Sequence, residues 1–372
     1  MVTGLSGEQA RLFRLRAQSL VNDDNPAAAI PTVIHDCGGV QAQDARQAPL
    51  AIRARSREVT VADVEAARIE DRSVIRTWCM RGTLHYLTTE DVSWLLPLFG
   101  PLYVDRGQRR LTQLGLNEDD CERAMAVVRS ALADHGPLTR GEIAERLLAE
   151  GFAFDPDGQA PIHVVRRACL EGIAIEVGAA DDRERYGLLD EWLSLDPAPE
   201  QIDALAELAR WYVAAYEPAT LDDFYAWSGL YKRDVRSGWE AIEDELTEVD
   251  IAGERAWTLS APATVEPDDT PIVRLLPMYD SYFLGHEDRE LVVPDEYIDR
   301  VYPGGGVIRA TVTVDGLAAG TWTLDQTRPV ATVVVEPFEP LAEAVETGIE
   351  AEVEDIGRFL GRDVEYRITK LT

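Results

Sequence analysis

The chain has 372 residues, 46% of them hydrophobic, and a formal charge of -31; that length suits two to four domains rather than one core. Taken alone, so negative a charge argues against nucleic acid as a partner, and apolar runs such as residues 330–335 are far too short to cross a bilayer. Cys37, Cys79, Cys121 and Cys169 have no C-x-x-C spacing, which gives no zinc ribbon and no evident disulfide framework and points to a reducing, cytoplasmic setting.

Residues 8–21 place Leu12, Phe13, Leu15 and Leu20 at helical spacing; their charge speaks against a signal peptide. Asn25-Pro26 reads as the cap of a second helix, ended by Gly38-Gly39. A third helix is expected over 46–55 despite Pro49, a fourth over 61–70, and then two strands, 74–80 and 83–87, around a tight turn at Arg81-Gly82. Helices followed by a β-hairpin is the order of a winged helix-turn-helix. It recurs at 120–189, where Thr139 with Glu142 forms a capping-box pattern, helix 161–171 carries His163, Arg166 and Arg167, and wing strands flank the acidic turn at 179–182. It recurs again as helices at 200–216, 218–227 and 232–245 with strands near 247–251 and 255–259.

A linker is expected at 265–271. Beyond it come strand-like runs at 272–276, 307–314, 320–324 and 330–335, an acidic helix at 341–360 and a last strand at 364–368. The fold class expected is α+β, with three tandem winged helix-turn-helix units (1–115, 116–195, 196–262) and a C-terminal domain (263–372) that is a small antiparallel sheet or barrel carrying a helix.

Charge is unevenly spread. Residues 1–115 hold 14 Arg against 13 Asp/Glu, whereas residues 116–372 hold 22 Lys/Arg against 54 Asp/Glu. Only Lys232 and Lys370 are lysines, a composition suited to a very salty, halophilic cytoplasm. Within the near-neutral third, Gln41 and Gln43 stand one residue apart after a glycine break, followed by Arg46, Arg53, Arg55 and Arg57. Carboxamides do not titrate near pH 7, so they are poor acids or bases but can hold a water by hydrogen bonds. Beside fixed positive charge, such a pair suits an anionic partner that needs positioning more than protonation. His35 and Cys37 lack two further ligands at metal-site spacing, so no metal is expected.

Three motifs in order, 39–43 (Gly-Val-Gln-Ala-Gln), 76–85 (Arg-Thr-Trp-Cys-Met-Arg-Gly-Thr-Leu-His) and 275–285 (Leu-Leu-Pro-Met-Tyr-Asp-Ser-Tyr-Phe-Leu-Gly) with Asp288-Arg289, resemble the winged-helix DNA glycosylases of the AlkZ/YcaQ type over nearly the whole chain. The resemblance implies a C-shaped scaffold of three winged helices that embraces DNA and excises N-alkylated purines, some members unhooking interstrand crosslinks. Its catalytic signature is Gln-x-Gln or Gln-x-Asp. Gln41 and Gln43 match the former, while Asp44 falls one residue late for the latter. The expected partner is damaged double-stranded DNA, with no cofactor and no obligate protein partner.

Arg46, Arg53, Arg55, Arg57, Arg76, Arg81, Arg166 and Arg167 are the candidate DNA contacts. His85, Tyr279, Asp280 and Tyr282 are candidate supports, with Asp280 an anchor, and Gly304-Gly-Gly306 is a candidate hairpin tip that probes DNA. The triple glycine is no phosphate loop, because no G-K-[ST] follows it. The rival reading is a non-enzymatic winged-helix DNA-binding protein or transcriptional regulator; a nucleotide-binding enzyme lacks a fingerprint.

Overall fold

A computed structural model describes residues 2–21, 29–180, 183–259 and 270–369. The cap at Asn25-Pro26, most of the linker at 265–271 and Asp181-Asp182 of the acidic turn lie outside the described residues. The described chain mixes helix and strand and forms two compact units, one of residues 1–64 with 205–372 and one of residues 65–204.

In the first unit, Ser6 caps helix Gly7–Ala17, its hydroxyl accepting from Gln9 N (3.2 Å) while Gln9 Oε1 accepts from Ser6 N (3.0 Å). Helix Ile30–Asp36 ends at Gly38 and Gly39, both with φ near +77°. Such angles favour glycine, and a Cβ on Gly38 would stand 2.7 Å from the ring of Tyr216. A turn from Asp44 leads into helix Ala48–Arg53. Helices Gln201–Tyr216, Leu221–Ser228 and Lys232–Ala241 precede the hairpin Thr247–Ile251/Glu254–Thr258. A short strand, Thr3–Leu5, which the sequence pattern does not announce, pairs in parallel with Thr247–Ile251.

The C-terminal sheet runs Val273–Leu276, Thr311–Val314, Leu317–Asp325, Ala331–Pro337, Val364–Ile368. Its pairs are antiparallel except the last, which is parallel because helix Glu343–Leu360 carries the chain back across the sheet. The helix buries Ile349, Val353, Ile356 and Phe359, one face at helical spacing. The expected strand at 307–314 is shortened to Thr311–Val314.

In the second unit, strands Val74–Trp78 and Leu84–Thr88 flank the turn Met80–Gly82, in which Arg81 and Gly82 are both left-handed. Helices Glu118–His135, Arg140–Ala149 and Ala160–Leu170 lead to the hairpin Ala174–Ala180/Arg183–Leu188, to which Leu138–Thr139 adds a third strand. The capping box at Thr139 and Glu142 is present. Helix Thr89–Gln113, 25 residues long, has no counterpart in the sequence reading. Pro97 and Pro101 lie inside it, each removing a helical N–H. Packing overrides that cost: Leu95, Leu96, Phe99, Leu102 and Tyr103 are buried, and a Cβ on Gly100 would stand 2.3 Å from the carbonyl of Leu170. No helix among the described residues is long and apolar enough to cross a membrane, and the four cysteines stand as free, buried thiols.

Candidate functional site

Gln41 closes the two-residue strand Val40–Gln41 and is 8% exposed; Ala42 is fully buried, and Gln43 turns outward to solvent. Asp44 is already used locally. Its carboxylate accepts from Arg46 N (2.8 Å) and Gln47 N (3.2 Å), which fixes the turn after the pair.

What holds the loop ahead of Gln41 is a buried polar network. Asp280 receives two hydrogen bonds from the guanidinium of Arg55, at 2.9 and 2.8 Å, and both side chains are fully buried. Arg55 Nη2 also donates to Gln18 Oε1 (2.8 Å), and Gln18 Nε2 donates to the carbonyls of Cys37 (3.3 Å) and Ala215 (2.7 Å). Tyr216 OH donates to the same Cys37 carbonyl (3.1 Å), and Ser281 Oγ donates to that of Gly39 (2.9 Å). Burial works against the charge of Arg55, yet Asp280 more than offsets it and the guanidinium titrates above its ordinary range. The chain ahead of Gln41 is thus held by Gln18 and Tyr216 at Cys37, four residues before it, and by Ser281 at Gly39, two residues before it.

This assigns Asp280 a definite part and removes Arg55 from the candidate DNA contacts. Arg53 is removed as well. It is 1% exposed, pairs with Glu352 (2.9 Å) and Asp355 (3.2 Å), and donates to the Leu275 carbonyl (2.8 Å), bolting helix Ala48–Arg53 to the C-terminal sheet and its helix. Arg76 is buried against Glu176 (2.6 Å) and Glu184 (3.0 Å), and Arg68 shares Glu176 at 2.6 Å. Arg167 is buried against Glu118 (2.8 Å) and Glu171 (2.6 Å). The physical reason is common to all four. Each of these four guanidinium groups packs inward onto a carboxylate, and a desolvated guanidinium so paired has no reason to leave it for a phosphate. Arg46 and Arg57 are exposed, and Arg81 and Arg166 are half-buried.

His85 is 1% exposed. Burial, then the charge of Arg81, pushes its pKa down to about 3, so the ring is neutral. Nδ1 lies 3.0 Å from the Thr83 carbonyl and Nε2 lies 3.4 Å from Arg81 Nη2; donating at the first and accepting at the second satisfies both. Tyr282 is a core residue whose hydroxyl donates to the Gly316 carbonyl (2.9 Å), and Tyr279 is half-buried with φ of +60°. Gly304, Gly305 and Gly306 are all left-handed, with open space where a Cβ would stand, and Gly304 bridges Val307. Among the described residues no group of three or more His, Cys, Asp or Glu is placed to hold a metal.

The sequence reading missed Gln18, Tyr216 and Ser281. Gln18 carried a signal, since it follows Leu15 by three residues on a face that buries Leu12 and Leu15. Ser281 stood inside the 275–285 motif beside Asp280, and Tyr216 carried no signal.

Similarity to proteins of known kind supplies the class to which this scaffold belongs. Residues 34–359 match the AlkZ-like DNA glycosylases, and the chain belongs to that family. It is similar to a protein of Streptomyces sahachiroi described as an interstrand DNA cross-link repair glycosylase, with 27% identity over 370 residues that cover 96% of this chain and 97% of the relative. The solved structure of the Streptomyces sahachiroi DNA glycosylase AlkZ matches with a TM-score of 0.80 and 24% identity, covering 99% of this chain and all of that one, and supports the mixed α and β fold. The protein is accordingly a DNA glycosylase, an enzyme rather than a regulator, and its partner is DNA.

Proposed function

We propose that the protein removes N-alkylated purines from damaged double-stranded DNA, with Gln41 and Gln43 positioning the attacking water. Alkylation at N7 or N3 leaves the purine cationic. The C1′–N9 bond can then break with its electron pair passing to the base, which departs neutral without a protein acid. Water oxygen bonds to C1′, its proton passes to solvent, and an abasic sugar remains. Two amide carbonyls suit this chemistry because they orient water without needing to take its proton, an entropic contribution of the kind that well-placed groups supply. The observation that carries the reading is the network from Asp280 through Arg55 and Gln18 to Cys37, which spends a buried ion pair on the loop that delivers Gln41.

The relative's description as a cross-link repair enzyme makes unhooking of interstrand crosslinks a further activity to seek here. We read the three helix-and-hairpin segments, 1–115, 116–195 and 196–262, as winged helices that carry DNA, with 263–372 bracing the glutamine loop. Arg46 and Arg57 are the exposed contacts after the pair, and Gly304–Gly306 is a hairpin tip free to meet the duplex.

The test is release of 7-methylguanine from duplex DNA by purified protein over a range of salt, with release of free base expected. Tight binding of duplex with no base released at any salt would overturn the alkylpurine assignment.

A further inference from the structure

A cavity of about 680 Å³ lies wholly within the first unit, a size that suits a small molecule. Helix Gly7–Ala17 lines it with Arg14, helix Leu221–Ser228 with Asp222 and Asp223, the hairpin Thr247–Ile251/Glu254–Thr258 with residues near its turn, and the segment 287–291 closes it.

Arg14 is 7% exposed and pairs with nothing. Nε and Nη1 are sealed from solvent and meet no acceptor among the described residues; Nη2, likewise unbonded, keeps some exposure where Arg14 lines the cavity. Arg53, Arg55, Arg76 and Arg167, equally buried, each meet a carboxylate. Burial holds the Arg14 guanidinium below its ordinary range, and Asp223 acts against that by charge alone. The Asp223 carboxylate is spent elsewhere. Its Oδ2 accepts from Thr220 N (3.0 Å) and Thr220 Oγ1 (2.8 Å), and its Oδ1 from Glu287 N (2.8 Å). A buried charge left without a partner is costly to the fold, which a ligand of opposite charge repays.

The edge of the cavity has the opposite sign. Asp222, Glu254, Glu287 and Glu290 are exposed and form no ion pair among the described residues, while Arg255, the other cation of the lining, pairs with Glu248 at 3.3 Å. A simple anion is repelled by that edge before it meets Arg14, and a simple cation is repelled by Arg14. A duplex phosphate brings no cation with it and meets the same acidic edge. A molecule with a carboxylate at one end and a cation at the other satisfies both. A carboxylate that reaches Nη2 alone compensates the whole guanidinium, because that charge is delocalised over the three nitrogens.

We propose that this cavity binds a small molecule carrying both charges, a basic amino acid or the C-terminal end of a short basic peptide. Its carboxylate sits on Arg14 and its cationic end lies among Asp222, Glu254, Glu287 and Glu290. The site rests neither on DNA nor on the glutamine chemistry.

Titration calorimetry of the full chain at low salt, with L-arginine and with L-arginyl-L-arginine, tests it. At least one should bind at a single site, and the tighter of the two tells a free amino acid from a peptide end. Agmatine, which is arginine without its carboxylate, and acetate should each bind weaker by about tenfold or more, the scale of one hydrogen bond to a charged group. Arg14→Met should abolish binding and, without ligand, melt no lower than the parent, since an unpaired buried charge is gone. Should that variant fail to fold, Glu254→Gln with Glu287→Gln decides: a loss of about tenfold for the tighter probe, with acetate bound no more weakly, is expected. Absence of binding by both probes, acetate or chloride bound as tightly as they are, or parental affinity in these variants would overturn the site.

Discussion

An amide contributes neither a proton nor a charge to hydrolysis, so in the proposed mechanism Gln41 and Gln43 act through where they hold a water. Gln41→Ala and Gln43→Ala should each slow single-turnover release of 7-methylguanine on the order of a hundredfold, the scale on which one positioned hydrogen-bonding group counts. Duplex affinity should stay near that of the parent. Two groups that hold one water act as a unit, so the double variant should be little slower than the worse single one. Gln43→Asp should retain activity on simple alkylated purines, since a carboxylate there also orients water and favours a cationic sugar. Parental rates for both alanine variants would remove the pair from the mechanism.

His85 makes a prediction of the opposite kind, about stability and not rate. Its folded pKa is about 3 against an ordinary 6.5, so between those values the unfolded chain binds a proton that the folded one refuses. Stability should therefore fall on acidification from pH 6.5 toward 3, by up to about 1.4 kcal/mol per pH unit from this histidine. Buried His286, likewise pushed down to about 3 by burial and then by Arg14, adds the same sign. Thermal melts of His85→Gln should show a shallower pH dependence over pH 4–6.5 than the parent, and identical profiles would count against a neutral buried ring.

At the scale of elements, two of the four arginines after the glutamine pair, Arg53 and Arg55, are structural. Asp280→Asn leaves the guanidinium of Arg55 buried with its charge uncompensated, which should cost on the order of 3–5 kcal/mol. Replacing both, Arg55→Met with Asp280→Leu, should recover much of that stability, since apolar side chains of similar size pack there without a desolvation cost. Base release should nevertheless stay depressed, because Gln18 loses the donor that holds it under Cys37. The same split, melting recovered and the maximal rate not, separates positioning from mere folding; full recovery of rate would show that the network serves stability alone. Gly38→Ala should be worse than an ordinary loop substitution, facing both a left-handed φ and the Tyr216 ring.

These elements also show how far local sequence carries. The capping box at Thr139 and Glu142, the glycine stop at Gly38-Gly39 and the hairpin around Arg81-Gly82 were legible because their causes lie within a few residues. Helix Thr89–Gln113 was not, since two prolines and two glycines argue against it and only burial against other elements overrules them. The glutamine pair could be picked out as a motif. The fate of its neighbouring arginines could not, because their carboxylates lie 225 to 302 residues away and no pattern of spacing connects them.

For the whole molecule, the charge of -31 is a load of self-repulsion on the folded state. At about 1 M salt the Debye length shrinks to roughly 3 Å, which leaves the short buried pairs intact and silences the long-range repulsion. The melting temperature should therefore rise between about 0.1 and 1 M potassium chloride, and a flat or falling trend would tell against adaptation to a salty interior. The same screening weakens phosphate contacts, so the optimum salt for base release should lie below the optimum for stability.

The link between Arg55 and Asp280 also has a consequence in time. A chain emerging from the ribosome at roughly 5–20 residues per second completes the 225 residues between the two partners only after about 10–45 s. Residues 65–204 are all made before then, whereas the glutamine loop, though Gln18 and Tyr216 already reach Cys37, lacks the ion pair with Asp280 and the Ser281 bond to Gly39 until that region arrives. A chain stopped short of that region carries both glutamines but lacks the buried ion pair between Arg55 and Asp280.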